Sequence, residues 1–85
     1  MLQVTNDAMH ICSETVRQLS GRSMTRLLRI NKGDSGIRIC FEKPRSDDEI
    51  LHHQGRPVIA IPEDVANAVS DMTLDFNEKG RLFLS

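Results

Sequence analysis

The sequence predicts an α+β fold of mostly β character, with small mixed sheets in two layers or a pseudo-barrel, an N-terminal amphipathic helix and a short second helix. Three observations support this. Residues 26–42 carry two strand-like apolar patterns on either side of a loop that contains two glycines. Residues 8–19 repeat apolar residues every three or four positions, as helices do. Short apolar runs separated by Gly, Pro and Asn fill residues 49–84.

The length of 85 residues fits one domain, assigned here to residues 1–85, near the lower limit for a self-sufficient core. The core is expected to be aliphatic, because the chain has three Phe and neither Trp nor Tyr. Domains of this size often gain stability by dimerising, so a homodimer remains an open alternative.

The net charge of −1 conceals an asymmetry along the chain. Residues 17–45 carry eight Lys or Arg against two acids, whereas residues 46–85 carry eight acids against three bases. Two interpretations stay open: two solvated faces of opposite sign, or docking of one region on the other within or between copies. Solvated faces are the simpler interpretation.

The cysteines and the N-terminus indicate the compartment. No basic region followed by an apolar one opens the sequence, and no apolar run approaches the ~20 residues of a membrane span. Cys12 and Cys40 are isolated, without CxxC or zinc spacing. The protein is therefore expected to be cytoplasmic, with two free thiols and no membrane partner.

The first elements are a short strand at residues 2–4 and a helix that Thr5 or Asn6 caps. Gly21 is a plausible end of this helix. His10 and Glu14 lie four residues apart on its polar face, and a solvated pair is favoured over two metal ligands. Its apolar face, with Cys12 in the core, comprises Ala8, Ile11, Cys12, Thr15, Val16 and Leu19.

A β-hairpin follows, with a turn at residues 32–36. Its second strand alternates Ile37, Ile39 and Phe41, on the core face, with polar residues and Cys40. Nearby cations define a candidate interaction surface. Nucleic-acid binding is not favoured, because no aromatic residue interleaves with them as a stacking platform. The surface comprises Arg22, Arg26, Arg29 and Lys32.

The C-terminal half reads as alternating short elements. After a polar loop, residues 49–51 predict a strand, residues 52–56 a turn, and residues 57–61 a strand buried on both faces. Pro62 suits the first position of a helix of two to three turns. The last hairpin has strands at residues 72–76 and 81–84.

This order of elements resembles the HesB/IscA family of A-type iron–sulfur assembly proteins over nearly the whole chain. Four segments carry the resemblance, and they occur in the same order as in the family. Residues 2–8 resemble its entry from the first strand into the helix, and a loop resembles its Gly-Cys-Ser-Gly. Residues 48–61 resemble its acidic and then valine-rich stretch, and a later strand resembles its Leu-Asp-Phe. The loop is Gly33-Asp34-Ser35-Gly36 and the last strand is Thr73-Leu74-Asp75-Phe76.

The resemblance implies a cluster held by three cysteines, one in the loop and a Cys-Gly-Cys pair near the C-terminus. Here Asp34 takes the loop position, the sequence stops at Ser85 before the pair, and Cys12 and Cys40 match none of the three. Thiolates hold iron–sulfur clusters, whereas a carboxylate suits harder cations.

The expected function is therefore an accessory or interaction module with a protein partner and no cofactor. The first alternative is an unconventional iron or iron–sulfur site that uses Asp34 with Cys40 or a histidine, and the second is a nucleic-acid binder. An enzyme is not expected, since no placed catalytic triad or phosphate loop occurs.

Overall fold

The computed structural model describes residues 2–20, 26–34 and 36–85, and it confirms the α+β class with mostly β structure. The predicted helix end at Gly21 lies outside the described residues, as does Arg22. The elements are β1 (Gln3–Val4), α1 (Asn6–Ser20), β2 (Leu27–Gly33), β3 (Gly36–Glu42), β4 (Glu49–His53), β5 (Arg56–Ile61), α2 (Glu63–Ala68), β6 (Thr73–Phe76) and β7 (Leu82–Leu84).

The strands form two sheets in the described part of the chain. One has four strands in the order β3-β2-β5-β4, and the other has three in the order β1-β6-β7. The pairs β2–β5 and β1–β6 are parallel, and the remaining pairs are antiparallel. The predicted hairpin is confirmed as β2–β3, which puts β3 at an edge of its sheet.

The core lies around β2 and β5 and is aliphatic, as predicted. Residues 58–61 are buried at every position, so β5 is covered on both faces. The α1 helix contributes Ala8, Cys12 and Val16 to this core. Leu19, predicted for the same face, is instead 58% exposed.

Thr5 joins the start of α1 to the three-stranded sheet. Its Oγ1 accepts a hydrogen bond from the Ala8 N–H at 3.2 Å, which makes Thr5 the N-cap. The same hydroxyl donates to Asp75 Oδ1 on β6 at 2.9 Å. The cap therefore fixes where the helix begins and ties that end of the helix to β6.

Three features differ clearly from the prediction: two element boundaries and the exposure of one side chain. β4 continues through His53, so the turn is confined to Gln54 and Gly55, whose φ angles of 53° and 80° suit a tight hairpin turn. Pro62 caps α2 instead of opening it, and α2 has only six residues. Ile37 is 39% exposed, because β3 has a strand on one side only.

Arg29 carries the buried charge of the fold. Its residue is 5% exposed, and its Nε and Nη2 donate to the two carboxylate oxygens of Asp48 at 2.7 and 3.0 Å. Nη1 donates to Asn31 Oδ1 at 2.7 Å and to Glu42 Oε1 at 3.1 Å. Arg29 was predicted on an exposed basic surface, and that placement is wrong because its charge is enclosed and neutralised.

The ion pair shifts the pKa values of both Arg29 and Asp48. Hydrogen bonding from Arg29 holds the pKa of Asp48 below its usual value, and the bonds to Asp48 raise the pKa of Arg29. Both groups are therefore charged in the folded state, and the buried guanidinium depends on its acidic neighbours.

Asp48→Asn is expected to lower the free energy of unfolding by about 3 kcal/mol, because it removes the main counter-charge of a buried guanidinium. Urea denaturation followed by circular dichroism measures the change. The matched control is Asp47→Asn, since Asp47 is exposed and no ion pair is described for it. Equal stabilities of the two variants would contradict a structural role of the pair.

The pair also predicts how stability depends on pH. Because the pKa of folded Asp48 is lowered, its contribution is complete above the unfolded pKa of about 4 and is lost as the pH falls through the lower, folded value. As the pH falls below about 4, the wild type should lose stability more steeply than Asp48→Asn. Parallel curves in this range would contradict the shifted pKa.

Candidate functional site

The candidate site lies at the tip of the β2–β3 hairpin. Gly33 ends β2 and pairs with Gly36 at the start of β3, which leaves Asp34 exposed in the turn between them. Ser35, the remaining residue of the predicted loop, lies outside the described residues. The two strands pair without a register shift over seven positions, so the tip is held by a regular ladder.

An apolar groove of about 550 Å³ opens beside this tip. Asp34 and Lys32 contribute its charged rim, while the end of β7 and the buried side of α2 supply aliphatic walls. Such walls suit an apolar side chain and offer a cation little beyond one carboxylate. The wall residues are Ile37, Val65, Ala68, Val69, Met72 and Leu84.

Cys40 lies far from this groove, on the strand that leaves the tip. It pairs with Arg29, four residues beyond Gly36, which is about 13 Å along a strand. Donor atoms on one metal ion lie within roughly 5 Å of each other. The structure therefore does not bring Asp34 and Cys40 of one chain together.

Cys12 offers no alternative thiolate. Its residue is 1% exposed in the core, and burial raises the pKa of its thiol to about 11. A thiol with this pKa stays protonated at neutral pH, whereas metal binding and nucleophilic attack both need the thiolate. The sequence prediction of a buried, structural Cys12 is confirmed.

The other metal candidates do not converge either. No group of three or more His, Cys, Asp or Glu side chains in residues 2–20, 26–34 and 36–85 is arranged to hold a metal ion. Glu14 forms an exposed ion pair with Arg17. His52 is exposed and His53 is half-buried, on successive positions of β4.

The predicted basic surface is reduced in the structure. Arg26 and Lys32 are exposed, Arg29 is enclosed, and Arg22 lies outside the described residues. Neither described helix is both long and apolar enough to cross a membrane.

Sequence reasoning missed two features of this region. The two carboxylate acceptors of Arg29, Glu42 and Asp48, lie 13 and 19 residues away along the chain, so no local pattern marks the ion pairs. The groove combines residues from β2, β3, α2 and β7, and its walls read in sequence as ordinary core positions. Only the alternation of Arg29 with apolar neighbours in a strand could have signalled a buried charge.

Comparison with solved structures shows the fold. The chain is similar to SufA of Escherichia coli, involved in biosynthesis of iron–sulfur clusters, with a TM-score of 0.67 and 18% identity over 99% of this chain and 81% of SufA. It is also similar to IscA with the [2Fe–2S] cluster, with a TM-score of 0.64 and 16% identity over 100% of this chain and 84% of IscA. No protein-family model and no curated protein matches the sequence. The predicted HesB/IscA-like fold is thus confirmed.

The two thiols are expected to differ in reactivity in the folded protein. Cys40 is half-buried and should react with Ellman's reagent, whereas Cys12 should react only after denaturation, because its thiol is enclosed and protonated. Absorbance should report one thiol per native chain and two in guanidinium. Cys40→Ser should show none until it is unfolded, and rapid native reaction of Cys12 would contradict the packing.

Proposed function

We propose that this chain is an accessory or interaction module with a HesB/IscA-like fold, which binds a protein partner and holds no conventional iron–sulfur cluster. We place it in the cytoplasm and assign it no catalytic activity. The observation that carries the proposal is the hairpin tip, where Asp34 borders an apolar groove without a nearby thiol among the described residues.

The chemistry of the donor set supports this. A cluster is usually held by four thiolates, which two chains can share. Each chain has one half-buried thiol at Cys40 and one enclosed thiol at Cys12. Asp34 adds a hard oxygen ligand at a different position. The residues present therefore do not fit the [2Fe–2S] cluster that the similar IscA carries.

The groove supports the binding role. Its volume of about 550 Å³ and its aliphatic walls suit the apolar side chain of another protein, and Lys32 and Asp34 at the rim can fix the orientation of that segment. With aliphatic side chains where metal ligands would be needed, the hairpin tip suits contact with a protein better than binding of iron. The unconventional iron site remains the alternative that the experiment below separates from this proposal.

Anaerobic incubation of the pure protein with ferrous iron and sulfide should produce no charge-transfer absorption above that of a buffer blank. The expected result follows from the shortage of thiolates at the hairpin tip. Iron should also bind equally weakly to the wild type and to Asp34→Ala, measured after desalting.

Two further variants sharpen this experiment. Asp34→Cys restores one thiolate to the loop and should remain colourless, because one soft ligand per chain is still too few. A brown product in the wild type that disappears in Cys40→Ala would overturn the proposal and establish the alternative site. IscA treated in parallel serves as the positive control.

A further inference from the structure

The outer edge of β3 is open. β3 is the first strand in the order β3-β2-β5-β4, so its far side pairs with no strand in the described part of the chain. An edge of this kind presents backbone N–H and C=O groups that can pair with another strand. β3 has seven residues, keeps one register with β2 throughout and contains no proline.

The opposite edge of the same sheet differs. The register of β4 shifts between Leu51 and His52, and a shift of this kind bends an edge and discourages pairing. The edge of β3, whose register is unbroken, is therefore the better suited of the two to an added strand.

The apolar face of β3 is incompletely covered. Ile37 is 39% exposed, and Ile39 and Phe41 are half-buried. A groove of about 390 Å³ separates Ile37 and Ile39 from residues 81–84 at β7. A strand added at the edge would project its own alternate side chains on this face, beside the groove.

The charged residues of β3 can pair with those of a second copy of β3. Arg38 is exposed, and Glu42, whose side chain is 42% exposed, has room for a second partner besides Arg29. If two copies of β3 run antiparallel about a two-fold axis at Cys40, each Arg38 lies opposite Glu42 of the second copy. The same register sets Ile39 opposite Phe41.

Neighbouring registers are less favourable. An axis at Arg38 would set two arginines opposite each other, and an axis at Glu42 would do the same with two carboxylates. An axis at Ile39 would set Arg38 opposite Cys40 and form no ion pair. Charge complementarity therefore selects the register centred on Cys40.

We propose that the chain forms a two-fold symmetric dimer by antiparallel pairing of β3 with β3 of a second copy, with the axis at Cys40. The partner is a second copy of this chain, and pairing joins two four-stranded sheets into one of eight strands. The dimer needs no metal, so it stands apart from the proposed function, and absence of a cluster neither supports nor opposes it.

Disulfide trapping tests the register directly. Opposed residues of antiparallel strands have Cα atoms about 4.5–5.5 Å apart, within the range that a disulfide spans. Diamide, which takes up the two electrons and two protons released, should therefore link the two Cys40 thiols into a covalent dimer on non-reducing gels. Cys40→Ser should give no covalent dimer, yet it should still dimerise in sedimentation equilibrium.

Charge reversal tests the ion pairs. Arg38→Glu sets like charges opposite each other at two symmetric positions and should weaken dimerisation by about tenfold or more at low salt. Lys79→Glu, the same change at an exposed turn between β6 and β7, should leave the dimer constant within about twofold.

Three results would overturn the proposal: a wild type that stays monomeric at millimolar concentration, a dimer unaffected by Arg38→Glu, or a dimer that diamide does not link through Cys40. Because trapping uses the unaltered chain, it decides the register even if the Arg38→Glu variant loses its fold. Circular dichroism of each variant verifies that fold.

Discussion

The ion pair between Arg29 and Asp48 is the constraint around which the larger sheet is built. A guanidinium in the central strand β2 has to be neutralised, and its partners come from the neighbouring strand β3 and from the loop before β4. Asp48 also accepts the Arg45 N–H at 2.9 Å, so the counter-charge fixes the loop as well. Replacing both partners of such a pair with apolar residues often stabilises a protein, whereas removing one partner leaves a buried charge unpaired.

That arrangement separates the two groups that the alternative iron site would need. The same β2–β3 ladder that holds Glu42 near Arg29 places Cys40 beside the ion pair and Asp34 at the distant tip. The separation follows from the strand rise and is independent of side-chain conformation. A scaffold similar to SufA and IscA thus presents an apolar groove and one carboxylate at its hairpin tip.

Local patterns predicted the elements well. A short apolar run marked β2 and alternation marked β3. The continuous apolar run marked the doubly covered β5, and Thr5 marked the start of α1. What could not be predicted depends on contacts between distant segments. Arg29 looked like one cation of a basic surface, because its carboxylate partners lie elsewhere in the sequence. Leu19 has an ideal helical spacing, yet it is exposed in the structure.

The sequence predicted where the candidate site lies, but it did not predict which side chains surround it. The glycines around Asp34 identified the hairpin tip, but the residues opposite it come from α2 and β7, and sequence alone does not bring them there. The ligand chemistry could still be judged in advance, because it depends on the number and type of donor atoms. Geometry then added the separation of Asp34 from Cys40.

The parallel pairing of β1 with β6 has a consequence for biosynthesis. Gln3 pairs with Thr73 and Val4 with Leu74, so β1 has to wait for a partner strand that is synthesised much later. The four-stranded sheet, whose members lie between residues 27 and 61, can assemble earlier on the nascent chain. The smaller sheet can close only after β6 and β7 have been synthesised, and until then the Thr5 hydroxyl lacks its Asp75 acceptor.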